Sequence, residues 1–105
     1  MIKKNLVIIP ARKGSKRIKD KNLVKVLNKP LIFWTINFAK KLKRKKYDLV
    51  VTSDCHKIKK IYNKEKILFI DRPKKLSTDY TSMHEVIFDT IKTLNKDYEY
   101  IILLQ

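Results

Sequence analysis

The stretch that decides the fold reads LVIIPARKGSKRI at positions 6–18. Residues 6–9 form a continuous apolar run rich in β-branched side chains, which is typical of a strand buried on both faces of a sheet. A polar loop over 10–22 follows this run, and six of its residues between 12 and 22 are basic. The stretch therefore predicts a buried strand whose carboxyl end leads into a cationic loop.

Outward from this strand, apolar runs and helix-period segments alternate along the chain. Three further strands are predicted at 49–51, 67–70 and 100–104, with a helix before each of them. The resulting β-α-β-α-β-α-β order predicts an α/β fold, in which a parallel sheet has right-handed crossovers and helices on both faces. Ligands of such sheets bind beyond the carboxyl ends of the strands, at the point where the strand order reverses.

Local features predict where the helices begin. Pro30 suits the first position of the first helix, and Asp54 suits the N-cap of the second. Ser82 and Glu85 have the spacing of a capping box at the start of the third helix, with Ser82 as the N-cap. The apolar positions of the first helix form two neighbouring stripes, one of Leu31, Thr35, Phe38 and Leu42 and the other of Ile32, Ile36 and Ala39.

The length of 105 residues corresponds to one domain, and 44% hydrophobic against 34% charged residues is the balance of a globular chain. No apolar run approaches the ~18 residues that a membrane-spanning helix needs. The apolar stretch near the start ends at Arg12, which is too short for a signal peptide. Cys55 is the single cysteine, which excludes an internal disulfide and a cysteine-based zinc cluster. We therefore expect a cytoplasmic protein with no membrane partner.

The formal net charge of +16 raises the alternative of a small basic nucleic-acid-binding protein. Basic residues cluster at 12–22 and at 40–46, and the others are scattered, mostly as lysines. Two observations argue against a nucleic-acid partner: no recognised nucleic-acid motif is present, and the aromatic residues are not interleaved with the basic ones. The cluster at 40–46 suits a solvated helix end, where cations face the negative end of the helix dipole.

The cationic loop has the residue types that a triphosphate needs. Arg12 and Lys21 can supply positive charge, and Gly14 lets the backbone approach a phosphate closely. The loop is neither a P-loop nor a dinucleotide fingerprint, because Gly14 has no partner glycines. On composition alone, a solvated basic loop fits equally well.

Eight motifs follow one another along the chain: IIPARKGSKRI at 8–18, KN at 21–22, KPLI at 29–32, VVTSD at 50–54, RP at 72–73, LSTD at 76–79, TS at 81–82 and LLQ at 103–105. In this order and spacing the chain resembles, over its whole length, the start of acylneuraminate cytidylyltransferases, the CMP-sialic acid synthetases and their relatives. Lys13 departs from the resemblance, since the family more often has Gly or Gln there. The chain also ends where the family's Leu-Gln-Pro-Thr-Ser-Pro motif continues.

The resemblance implies a Rossmann-like nucleotidyltransferase fold with strand order 3-2-1-4, truncated after the fourth strand. Residues 1–105 would be the N-terminal nucleotide-binding part of a cytidylyltransferase domain whose C-terminal part is missing. The implied reaction transfers CMP from CTP to a sialic-acid-like nine-carbon acid sugar and releases pyrophosphate. Neuraminate, legionaminate and pseudaminate are all open as the acid. The chain alone is expected to be incomplete and inactive, and a non-catalytic remnant of the enzyme is a further alternative.

The resemblance also implies site residues and partners. Arg12 and Lys21 would contact the CTP phosphates and carry the catalytic role. The nucleotide-binding set would be Arg12, Gly14, Ser15, Lys16, Lys21, Asn22, Ser82 and Gln105. No metal ligand is assigned within the chain, and Mg²⁺ is expected as a cofactor with its ligands further downstream. The expected partners are CTP and an acylneuraminate-type sugar, and full-length family members are expected to be homodimers.

Overall fold

A computed structural model describes residues 4–14, 21–41, 47–62, 67–78 and 80–104. Along the chain it forms β1 (Lys4–Pro10), β2 (Lys25–Val26), β3 (Lys29–Pro30), α1 (Leu31–Lys41), β4 (Tyr47–Ser53), α2 (His56–Tyr62), β5 (Leu68–Asp71), α3 (Met83–Leu94) and β6 (Tyr98–Leu103). Single 3-10 turns lie at Lys21–Leu23 and Lys74–Leu76. Within the described ranges, no helix is long and apolar enough to cross a membrane.

The main sheet has four strands in the order β5-β4-β1-β6, and every neighbouring pair is parallel. This arrangement confirms the predicted α/β fold and the predicted order 3-2-1-4. β1 lies between β4 and β6, with Val7 paired to Leu49 on one side and to Ile102 on the other. Residues 6–9 of β1 are at most 2% exposed, which is why they read as a continuous apolar run.

The sheet buries a hydrophobic core on each of its faces, as predicted. On one face, Val7, Ile9 and Val51 pack in a cluster with residues of α1 and α2. On the other face, Leu6 and Ile8 belong to a cluster against which α3 packs. Successive residues of a strand point to opposite faces, so β1 contributes to both clusters. The carboxyl ends of β1, β4 and β5 are thereby held rigidly beside one another.

Only one of the two apolar stripes of α1 forms core. Ile32, Ile36 and Ala39 are buried against the sheet. Phe38, from the other stripe, is 56% exposed. The second stripe therefore does not contribute to the hydrophobic core in the way that the first one does. Leu42 lies outside the described residues.

A short hairpin precedes α1, and the sequence does not predict it. Pro30 belongs to β3, so the helix begins one residue later than predicted. β2 and β3 pair antiparallel, and the turn between them has positive φ at Leu27 (50°) and Asn28 (68°). Asparagine tolerates this left-handed conformation well, whereas leucine rarely adopts it. Trp34 of α1 secures the hairpin, because its Nε1 donates a hydrogen bond of 2.8 Å to the carbonyl of Val26.

β6 is more exposed than its apolar sequence suggests. It lies at an edge of the sheet, and among the described residues it pairs with β1 alone. Tyr100 is 64% exposed and Ile101 is 40% exposed. The strand predicted at 100–104 is confirmed, but its apolar residues are partly exposed because β6 lies at the edge of the sheet.

Candidate functional site

A cleft of about 340 Å³ opens at the carboxyl edge of the sheet, within the size range of small-molecule sites. Its walls come from the ends of β1 and β5, the loops that follow them, the start of α1 and the start of α3. The lining residues are Pro10, Arg12, Gly14, Lys21, Asn22, Leu31, Thr35, Arg72, Thr78, Thr81, Met83 and Val86. The cleft lies where ligands of parallel α/β sheets bind.

Four of the predicted site residues line this cleft: Arg12, Gly14, Lys21 and Asn22. They come from two separate segments, the loop after β1 and the 3-10 turn at Lys21–Leu23. Asn22 joins the two segments, since its amide nitrogen donates a hydrogen bond of 3.2 Å to the carbonyl of Arg12. Ser15, Lys16 and Gln105 lie outside the described residues, so their predicted roles stay predictions.

Ser82 acts as the N-cap of α3. Its hydroxyl accepts from the backbone N–H of Glu85 at 3.2 Å, and the Glu85 carboxylate accepts from the backbone N–H of Ser82 at 2.9 Å. This reciprocal pair confirms the predicted capping box. Thr81 and Met83, the chain neighbours of Ser82, line the cleft, whereas Ser82 itself does not. The start of α3 therefore faces the cleft, with the Ser82 hydroxyl engaged in the cap.

The loop after β1 is held by the end of β4. The backbone N–H of Ala11 donates to the carbonyl of Thr52 at 2.9 Å, and the hydroxyl of Ser53 donates to the carbonyl of Ala11. Further along the two segments, the Asp54 carboxylate accepts from the backbone N–H of Lys13 at 2.7 Å. These contacts continue the pairing of β1 and β4 beyond the sheet.

The prediction of Asp54 as an N-cap is wrong. α2 begins at His56, which places Cys55 directly before the helix. The Cys55 carbonyl accepts the backbone N–H of Lys59, and the Cys55 N–H bonds the hydroxyl of Ser53. The Asp54 carboxylate turns instead toward the loop after β1.

Arg72 lines the cleft, although the sequence analysis assigns it no role in the site. It is only 6% exposed, and its Nη2 donates to the carbonyl of Thr52 at 3.1 Å. Burial is the main factor that lowers the pKa of its guanidinium, and the charge of Arg12 lowers it further. The charges of Asp54 and Asp89 raise the pKa of Arg72. Arg12 and Arg72 thus line the same cleft, and a pair of guanidinium groups there favours an anionic ligand.

The Nε atom of Arg72 strengthens this interpretation. It is buried and has no hydrogen-bond partner among the described residues. Buried polar atoms are almost always paired, so an unpaired donor in a cleft wall points to a ligand or to water. The sequence holds two indications of this residue: Arg72 belongs to the RP motif at 72–73, and it directly follows β5, at the same edge of the sheet as Arg12.

The cytidylyltransferase family model matches residues 6–105. The chain belongs to the cytidylyltransferase family. Its four-stranded parallel sheet with helices on both faces is the Rossmann-like nucleotidyltransferase fold that this membership implies.

Proteins named as cytidylyltransferases of specific acid sugars match nearly the whole chain. An N-acylneuraminate cytidylyltransferase of Escherichia coli O18:K1:H7 (strain RS218 / NMEC) is 36% identical over 103 residues, which are 97% of this chain and 24% of that protein. One of Streptococcus agalactiae serotype III (strain NEM316) is 33% identical over 95% of this chain and 24% of its own length. A pseudaminic acid cytidylyltransferase of Campylobacter jejuni subsp. jejuni serotype O:2 (strain ATCC 700819 / NCTC 11168) is 41% identical over 96% of this chain and 45% of its own length. The chain thus spans about a quarter of the first two relatives and under half of the third.

Metal ligands are not grouped in the part of this cytidylyltransferase chain that the structure describes. No set of three His, Cys, Asp or Glu residues there could hold a metal ion, and none of the described residues that line the cleft carries a carboxylate. Mg²⁺ prefers carboxylate and phosphate oxygens. The described residues therefore do not fit a magnesium site by themselves, and the expectation that its ligands lie elsewhere stays a prediction.

Proposed function

We propose that this chain forms the CTP-binding part of a cytidylyltransferase that transfers CMP to a nine-carbon acid sugar and releases pyrophosphate. The observation that carries the proposal is the cleft at the carboxyl edge of the sheet. Arg12, Lys21 and Arg72 line it together, in a chain that belongs to the cytidylyltransferase family. Three cations around one cleft suit a ligand with several negative charges.

The lining residues have chemistry that suits a triphosphate. Arg12 and Arg72 present planar guanidinium groups, which match phosphate oxygens two at a time, and Lys21 adds an exposed, mobile charge. At Gly14, a Cβ would have the Nη1 atom of Arg12 as its nearest neighbour, 3.9 Å away. No described residue crowds this position, and the proposed role of the glycine is to let a phosphate approach the backbone.

The other nucleotide contacts in this proposal are less direct. Asn22 supports the nucleotide by holding the carbonyl of Arg12. Ser82 acts through the N-terminus of α3, whose backbone N–H groups attract anions. Ser15, Lys16 and Gln105 complete the proposed set, on the basis of the family resemblance alone.

The proposed reaction is attack of the sugar's anomeric hydroxyl on the α-phosphate of CTP, with pyrophosphate as the leaving group. Transfer of this kind depends mainly on positioning and on stabilising charge at the phosphate oxygens, so a protein nucleophile is not required. Arg12 and Lys21 are proposed to provide that stabilisation from the chain itself. Mg²⁺ remains the proposed cofactor, held by ligands outside the described residues.

The acceptor is proposed to be a sugar of the acylneuraminate or pseudaminate type, because the matching relatives carry those two names. A cytoplasmic location is proposed with it, since that is where nucleoside triphosphates are available as substrates.

The test is an assay of the full-length protein with CTP, Mg²⁺ and each candidate acid, following pyrophosphate release. The wild type should turn over with at least one acid. Arg12→Ala should weaken CTP binding about tenfold or more, the value of one charge-assisted contact. The matched control is Lys92→Ala, which removes an exposed cation from α3, away from the cleft, and should change CTP affinity less than twofold.

Two results would contradict the proposal. One is the absence of CTP-dependent pyrophosphate release with every acid. The other is an equal loss of CTP affinity in both variants, because a diffuse basic surface would then bind the nucleotide. Such a surface should also prefer polynucleotides and lose affinity steeply with salt.

A further inference from the structure

Asp54 occupies an unusual place relative to the cleft. It follows directly after β4, is partly buried, and is not among the residues that line the cleft. Its carboxylate nevertheless reaches across to the loop after β1, where it accepts the backbone N–H of Lys13 at 2.7 Å. This is a charge-assisted hydrogen bond of short length, a strong type of contact.

Lys13, which donates this bond, lies in the cationic loop between two residues of the cleft wall. Lys13 is exposed, and its two chain neighbours, Arg12 and Gly14, both line the cleft. The earlier part of the loop is held without Asp54, because both the N–H and the carbonyl of Ala11 are bonded to the end of β4. Loss of the Asp54 contact would therefore free the backbone N–H of Lys13, while the bonds to Ala11 and the Asn22 bond to the Arg12 carbonyl would stay in place.

The charge of Asp54 acts on the same wall of the cleft. Its carboxylate is close enough to Arg72 to favour the charged guanidinium, against the effects of burial and of Arg12. Asp54 thus holds the backbone next to Arg12 and partly offsets the positive charge of Arg72. Such an arrangement holds two like charges side by side before an anion arrives.

We propose that Asp54 is a positioning residue of the CTP site, which holds the backbone of Lys13 so that Arg12 and Gly14 face the triphosphate. The inference rests on the proposed function, because it names a residue that orders the same site. Asp54 touches the loop and not the nucleotide, so its effect should be confined to the phosphate part of the ligand.

The experiment measures the dissociation constants of CTP and of cytidine for the full-length protein and three variants. Asp54→Ala should weaken CTP binding about tenfold, the fold-change of one lost hydrogen bond to a charged group, and should leave cytidine binding within twofold. Asp54→Asn places an amide oxygen where the carboxylate oxygen lies, so it should recover CTP affinity to within about threefold of the wild type. The matched control, Asp71→Ala, removes an exposed carboxylate bonded to Lys59 at 2.9 Å and should bind CTP like the wild type.

A second measurement applies even where the alanine variant does not fold. Hydrogen exchange at the Lys13 amide should be slowed in the wild type and slowed further by CTP, because the bond to Asp54 is part of the bound conformation. An unprotected Lys13 amide with CTP bound would overturn the inference.

The remaining outcomes separate this inference from the proposed function. A wild type that does not bind CTP overturns both. A wild type that binds CTP, with Asp54→Ala binding it equally well, overturns the inference alone. Equal losses for CTP and cytidine, or an asparagine variant as weak as the alanine variant, overturn it as well, since the role would then be general stability or charge alone.

Discussion

Replacing Arg72 by methionine separates the stability of the fold from the binding of the nucleotide. Methionine is unbranched and apolar, so it replaces the stem of the arginine in a site that is only 6% exposed. It removes the guanidinium, and with it the 3.1 Å bond to the carbonyl of Thr52. The same carbonyl keeps its bond from the backbone N–H of Ala11 at 2.9 Å, so no acceptor is left unpaired.

The change in stability is a balance of two terms of similar size. Loss of a hydrogen bond from a charged donor costs about 1.5–3 kcal/mol. Removal of the buried, unpaired Nε restores about 1–3 kcal/mol, the usual penalty of such a group. Without nucleotide, Arg72→Met should therefore change the free energy of unfolding by no more than about 2 kcal/mol in either direction. CTP binding should fall at least about tenfold, because a charge-assisted phosphate contact is lost.

The two quantities are measured by urea denaturation without nucleotide and by calorimetric titration with CTP. A variant destabilised by more than about 3 kcal/mol with unchanged CTP affinity would contradict a phosphate contact at Arg72. Arg72 would then be a structural residue, and its unpaired Nε would not indicate a ligand.

Three further substitutions test other parts of the account. Gly14→Ala should leave thermal stability unchanged, because the nearest atom of the described residues to the added methyl is Nη1 of Arg12, 3.9 Å away. The same substitution should weaken CTP binding in a titration, and unchanged affinity would contradict the close approach of a phosphate. Ser82→Ala should lower the free energy of unfolding by about 1 kcal/mol through loss of the cap, measured in urea; no loss would contradict the cap. Burial and the 2.8 Å hydrogen bond to Asp48 raise the pKa of the Tyr98 hydroxyl. As the pH rises, the unfolded chain therefore loses the phenolic proton before the folded chain does, and the wild type should lose stability above about pH 10. Tyr98→Phe should lose less over the same range in alkaline urea titrations, and parallel curves would contradict that contribution.

The main sheet was predictable because its pattern is simple. Residues 6–9 are apolar without interruption and lie in a strand that has neighbours on both sides and helices on both faces. The capping box at Ser82 and Glu85 was predictable for a similar reason, since both partners belong to one helical turn. The loop after β1 could be placed at the cleft because the carboxyl ends of parallel strands meet at one edge.

The hairpin before α1 was not predictable from the pattern. Each of its strands has two residues, which is too short for any periodicity to appear. Its turn places Leu27 at a φ of 50°, against the preference of leucine, so local propensity pointed elsewhere. The exposure of Phe38 escaped prediction as well, because two stripes on one helix are equally apolar and only the packed structure selects between them.

Asp54 and Arg72 illustrate the limit of local reasoning within the site itself. An aspartate just before a helix is a good N-cap by sequence, but the Asp54 carboxylate bonds a backbone N–H 41 residues away. Arg72 donates to a carbonyl 20 residues away. Contacts of this kind depend on the order of the strands, and they become visible only when the sheet is assembled.

The most direct test of the CTP site is a titration of the isotope-labelled full-length protein with CTP, followed by the shifts of its backbone amides. We expect saturable shifts concentrated at residues 11–14, 21–22, 72, 78 and 81–83, the described residues around the cleft. Shifts that do not saturate, or that spread over exposed lysines such as Lys57 and Lys92 and vanish with added salt, would contradict the proposed CTP site.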